Sequence, residues 1–155
     1  MLGSRALAVA AAGALAAACG GDAEPVRGGS SGGPLQPTFS SLERGLFSQS
    51  CSGCHYPTYS VNGAAGGLDF TAPPATIYAA LVSSGVSNDS FDVGRTAFPE
   101  RVVPGNAEES LLYQKLARDA PGDHGSQMPP TRAGPFDPAA LAAVRAWIES
   151  GAPNN

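Results

Sequence analysis

Apolar residues recur at the intervals of a single helical face in four stretches of this chain, separated by polar, glycine-rich segments. In the first stretch, Phe39, Leu42, Leu46 and Phe47 predict a short helix, with Ser40 or Ser41 available to cap its start. The second, Ala75 to Val82, reads as a short helix carrying Ile77, Tyr78 and Leu81. In the third, Asn106 followed three places later by Glu109 has the form of a helix start, and Leu112, Tyr113 and Leu116 share the face beyond it. The fourth opens on Asp137-Pro138, a cap followed by a proline at the first helical position. It closes at Gly151 about four turns later, with Leu141, Val144, Trp147 and Ile148 as its buried stripe. No segment reads convincingly as a strand and no internal repeat is present. The pattern predicts an all-α domain over residues 38–152, about four helices joined by long loops, with 153–155 as a tail.

The connections are distinctive. Tyr56 to Pro74 is irregular, and Gly63, Gly66 and Gly67 precede Leu68, Asp69 and Phe70. Glycine there permits close approach of the backbone to a flat ligand, or simply a surface turn. Ser83 to Glu100 is too long for a simple connection and reads as a mobile surface loop. Ala120 to Asp137 returns to loop, punctuated by Gly122, Gly125, Pro129, Pro130, Gly134 and Pro135.

The chain upstream of residue 38 reads differently. Met1 to Ala18 has Arg5 near its start, an Ala/Leu/Val run from Ala6 and small residues before Cys19, the form of a cleaved secretory signal. A run this short does not span a bilayer, which takes about 20 residues. Leu15-Ala16-Ala17-Ala18-Cys19 resembles a bacterial lipoprotein signal, although that family usually has Leu where Ala16 stands. The resemblance implies that Cys19 becomes an acylated first residue, holding the protein on the periplasmic side of the bacterial cell envelope. The alternative is cleavage near Cys19 without a lipid. Gly20 to Pro37 is Gly, Ser and Pro with few apolar residues and reads as a flexible tether with a reach of roughly 23 Å.

Charge narrows the partners. The formal net charge is −4, with 14% charged residues and no basic cluster, so the chain carries no electrostatic footprint for nucleic acid. A domain of this length with few aromatics is marginal by itself, and a bound apolar group could complete its core.

The chemistry concentrates at Cys51-Ser52-Gly53-Cys54-His55. C-x-x-C-H reads as a covalent haem attachment site: two thiols three positions apart can add to the two vinyl groups of one porphyrin, and the adjacent imidazole becomes the proximal iron ligand. The same short motif can be half a zinc site or a redox dithiol. Writing Cys51, Cys54, His55 and His124 as four zinc ligands would strain the site at adjacent Cys54 and His55, and a thioredoxin-like dithiol calls for parallel strands that the pattern lacks. With Cys51 and Cys54 used by haem, Cys19 would be an unpaired thiol unless acylated.

For the sixth iron position, Met128 is the only thioether left after the signal is removed, within Gly125-Ser126-Gln127-Met128-Pro129-Pro130. Thioether opposite imidazole suits an electron carrier and raises its potential. A lone Met is also a common core filler. His124 is the rival ligand or a solvated loop residue, and an open sixth position is the third case.

The order helix, C-x-x-C-H, loops, helix, Met-Pro loop, terminal helix resembles the single-haem class I cytochrome c family. More narrowly, Gly67-Leu68-Asp69, Arg101-Val102-Val103-Pro104-Gly105, Ser110-Leu111-Leu112-Tyr113, Gln127-Met128-Pro129-Pro130 and Ala146 to Ala152 are similar to cytochrome-c-like domains of the planctomycete and myxobacterial type. The resemblance implies a small fold wrapped around one covalent haem c and its iron. It implies Cys51 and Cys54 as thioether links, His55 as proximal and Met128 as distal ligand, and first and last helices that cross with Phe47 and Trp147 near the contact. Arg101 is either a contact for a haem propionate or a solvated surface charge.

The expectation is therefore a non-enzymatic one-electron carrier, exported and tethered to a membrane, that meets redox donor and acceptor proteins. The alternative is a haem-based peroxidase or gas-binding sensor with an open or displaceable sixth position.

Overall fold

The computed structural model describes residues 33–58, 64–83, 98, 100–118, 126–130 and 136–155. The signal segment, Cys19, most of the tether, His124 and nearly all of the loop between Ser83 and Glu100 lie outside the described residues. Within them the protein is helical and contains no strand; one isolated bridge joins Val103 to Asn106 across a tight turn. None of the described helices is long and apolar enough to cross a membrane.

The first helix begins as α1, Phe39–Leu42, and continues without a break as a π-helix over Glu43–Cys51. Thr38, in extended conformation, is the N-cap: its hydroxyl accepts from the Ser41 N–H at 3.3 Å. The cap is thus one place upstream of the serines expected there, and Ser41 instead accepts from the Gln36 N–H. Phe39, Leu42, Leu46 and Phe47 are all buried, as their spacing implied.

The second helix is α2, Pro74–Tyr78, extended by a π-turn over Ala79–Ser83, with Ile77 and Leu81 buried. The third, α3, spans Leu111–Ala117, later than the Asn106 start expected. Asn106 does accept from the Glu109 N–H, but the chain then turns at Ser110. The hydroxyl of Ser110 is fully buried, accepting from Val103 N–H and donating to the Asn106 carbonyl, so it holds the preceding turn and does not cap α3. Gly105 has the left-handed φ of 86° that this turn demands, and its N–H donates to the Ile148 carbonyl.

The last helix, α4, spans Pro138–Glu149 with the Asp137 carboxylate accepting from Ala139 N–H, and Gly151 ends it at φ 96°. Val144, Trp147 and Ile148 are fully buried, while Leu141 is half-buried at the margin. The first and last helices pack together. The ring that meets Trp147 is Phe39, at 6.0 Å between centroids, whereas Phe47 stacks on Phe70 at 5.1 Å in the same core.

The chain at both ends of the domain is drawn into this packing. Leu35, within the stretch read as tether, lies against the core over Gly45, where any Cβ would meet its Cδ2 at 2.5 Å. Beyond Gly151, the Ala152 carbonyl accepts from Tyr78 and the Pro153 carbonyl from the Trp147 indole N–H. Asn155 accepts from both Phe39 and Ser40 N–H groups at the start of α1. These bonds satisfy N–H groups that a helix start leaves without intrahelical partners.

Candidate functional site

The motif residues leave the first helix at its C-terminal end. In the π-helix, residues five apart face one another. Ser48 donates to Glu43, Ser52 N–H to the Phe47 carbonyl, and the Cys51 thiol approaches the Leu46 carbonyl at 3.9 Å. In an α-helix a five-residue interval is turned by about 140°. The π-winding therefore keeps Cys51 on the inward side with Leu46.

The Cys51 carbonyl then accepts from both Cys54 and His55 N–H groups, at 3.2 and 3.0 Å, wrapping the motif into a single turn. Both thiols are free and half-buried. Cys51 borders the apolar core; burial, and secondarily the neighbouring Cys54, push its thiol up to about 12. A redox-active or metal-binding cysteine needs the opposite shift. Among the described residues no three His, Cys, Asp or Glu side chains are grouped to hold a metal ion.

His55 is held by a segment of the loop that follows. Its carbonyl accepts from Phe70 N–H at 2.8 Å, and its imidazole meets the Phe70 ring edge-on, 5.4 Å between centroids at 77°. Phe70, only 4% exposed, stacks on Phe47. Ahead of it, Gly66 and Gly67 take left-handed conformations and close a turn through Gly67 N–H and the Ala64 carbonyl.

Met128 lies half-buried on the margin of the same core. Its backbone is held by α3: Met128 N–H donates to the Lys115 carbonyl at 2.8 Å, and the Lys115 ammonium donates to the Ser126 carbonyl. Arg101 is not a solvated charge. It is 6% exposed, and its guanidinium donates to the Ala80 carbonyl at 2.8 Å and to the Gly66 carbonyl at 3.0 Å. Burial lowers its pKa.

The fold thus brings Cys51 and Met128 to the edge of one apolar cluster, joins His55 to that cluster through Phe70, and sets Arg101 behind the glycine turn. Two supports escaped the sequence reading. Phe70 stood in a segment read as irregular, and Lys115 acts on Met128 through a backbone carbonyl, which no side-chain pattern signals. Comparison with protein-family models, with curated proteins and with solved structures finds no match to this chain.

Proposed function

We propose that this chain is a one-electron carrier, a monohaem c-type cytochrome exported to the bacterial cell envelope and tethered there through Cys19. The observation that carries the proposal is the Cys51–His55 turn. Two free, half-buried thiols, that of Cys51 at the margin of an apolar core, share one turn with an imidazole braced by an aromatic ring. The donor set of two thiols three positions apart and an adjacent imidazole fits a covalently attached haem, and the buried, protonated Cys51 thiol is in the form that adds across a vinyl group. Cys51 and Cys54 would form the thioether links, and His55 and Met128 would be the two axial ligands. When bound, such a haem supplies a one-electron iron couple.

The remaining roles belong to the polypeptide. Phe70 restricts the imidazole, and α3 restricts the loop carrying Met128, so little ordering is left to occur on ligation. A guanidinium has five N–H donors, more than the two that Arg101 directs at Gly66 and Ala80, and a propionate carboxylate is a natural further acceptor.

The test is spectroscopic. The matured protein should show a low-spin haem spectrum in the reduced state and resist carbon monoxide; Met128→Ala should lower the potential and admit carbon monoxide. An unchanged spectrum and potential in Met128→Ala would remove the thioether from the reading. Ready carbon monoxide binding by the wild type would favour the peroxidase or gas-sensor alternative.

A further inference from the structure

We infer that Arg101 is a positioning residue for the His55 imidazole, acting through the strap Gly66–Phe70. This rests on reading His55 as the proximal ligand. The two outer nitrogens of one rigid guanidinium plane hold carbonyls from segments far apart in sequence, Gly66 at 3.0 Å and Ala80 at 2.8 Å. Gly66 begins the left-handed turn that starts the strap, and Phe70 ends it, with N–H on the His55 carbonyl and ring edge on the imidazole. One end of the strap is therefore clamped by Arg101 and the other lies against His55. The Arg101 carbonyl in turn accepts from Leu112 N–H at 2.9 Å, in the helix whose Lys115 carbonyl holds Met128. Arg101 links the segment behind the imidazole to the helix beside the thioether.

Among the described residues no carboxylate pairs with this guanidinium. Its attachments are directional hydrogen bonds to backbone, which a lysine point charge reproduces only in part and a glutamine cannot span.

The experiment uses the full matured chain with Arg101→Gln and Arg101→Lys. Hydrogen exchange is read at the Phe70 amide and, as a control, at the Ala152 amide, which donates to the Trp147 carbonyl at the end of α4, outside the strap. Electron paramagnetic resonance of the oxidised protein reads the axial ligand field. The expected result is exchange at Phe70 faster by about tenfold or more in Arg101→Gln, with Ala152 unchanged. The resonance should be altered in the same variant, and Arg101→Lys should fall between it and wild type. Should Arg101→Gln fail to fold, Arg101→Lys carries the comparison alone. Equal acceleration at Phe70 and Ala152, or an unaltered resonance beside a faster Phe70 amide, overturns the inference. A colourless product removes the haem reading while the exchange arm still reports the clamp; a coloured product with unchanged Phe70 exchange removes the clamp alone.

Discussion

Replacing Phe70 separates its aromatic role from its bulk. The ring is 4% exposed and makes two aromatic contacts, stacked on Phe47 at 5.1 Å and edge-on to His55 at 5.4 Å. Phe70→Leu keeps most of the apolar volume and the backbone bond from residue 70 to the His55 carbonyl, and removes both ring contacts. At about 0.5–1.5 kcal/mol for each aromatic pair, the expected loss is about 1–3 kcal/mol. Phe70→Ala adds a cavity and should cost about 3–5 kcal/mol. Urea unfolding of the matured protein, followed by far-ultraviolet circular dichroism, measures both. On the proposed haem reading, the spectrum of the folded Phe70→Leu variant reports whether the imidazole has gained freedom. The expected order is wild type, then Phe70→Leu, then Phe70→Ala, with a perturbed spectrum already in the leucine variant. If Phe70→Leu is as stable as wild type and spectrally identical, the ring is filler and the bracing of His55 lies elsewhere.

Other expectations follow from the same contacts. Asn155→Ala removes the acceptor for Phe39 N–H at the start of α1 and should cost about 1 kcal/mol, read as a shift of the urea midpoint. Ser110→Ala strands the Val103 N–H in a fully buried site and should cost about 1–3 kcal/mol by the same assay, far more than an exposed Ser→Ala change. In the chain without haem, the folded state holds the Cys51 proton up to about 12, whereas the unfolded thiol loses it near its ordinary 9.0. Between those values the unfolded state binds fewer protons, so stability is full below about 9 and falls as pH rises toward 12. Urea midpoints at about pH 8 and about pH 10.5 should diverge more in this chain than in Cys51→Ala.

Local signals made α4 readable almost to the residue. Asp137, Pro138 and Gly151 do there what their chemistry favours, and the stripe ending in Trp147 and Ile148 is fully buried. The first helix was readable as an element but not as a π-helix. Leu42, Leu46 and Phe47 face inward under either winding, so their spacing does not separate the two; only Cys51, five places after Leu46, depends on the difference. The start of α3 misled because Asn106 and Glu109 do form a cap-like hydrogen bond, but in a turn that Ser110 then ties back to Val103.

The Cys51–His55 motif stood out in the sequence as a candidate site, and its supports did not. Arg101 reaches Gly66 and Ala80, and Met128 hangs from Lys115, through backbone carbonyls distant in sequence. Such partners are set by tertiary packing, and every residue offers the same carbonyl. For the same reason, nothing in Ala152 to Asn155 announces that this segment pins the start of α1 and the Trp147 indole.

The claim beneath all of this is that Cys51 and Cys54 carry one haem through two thioether bonds. Intact mass together with a pyridine haemochrome assay, made on the chain exported from a host able to mature c-type cytochromes, tests it most directly. The account predicts a coloured protein whose mass exceeds that of the processed polypeptide by one haem, beyond any acyl chains, with the porphyrin retained after acid extraction and lost when both cysteines are replaced by alanine. A compactly folded, colourless product with both thiols open to alkylation after unfolding would contradict it.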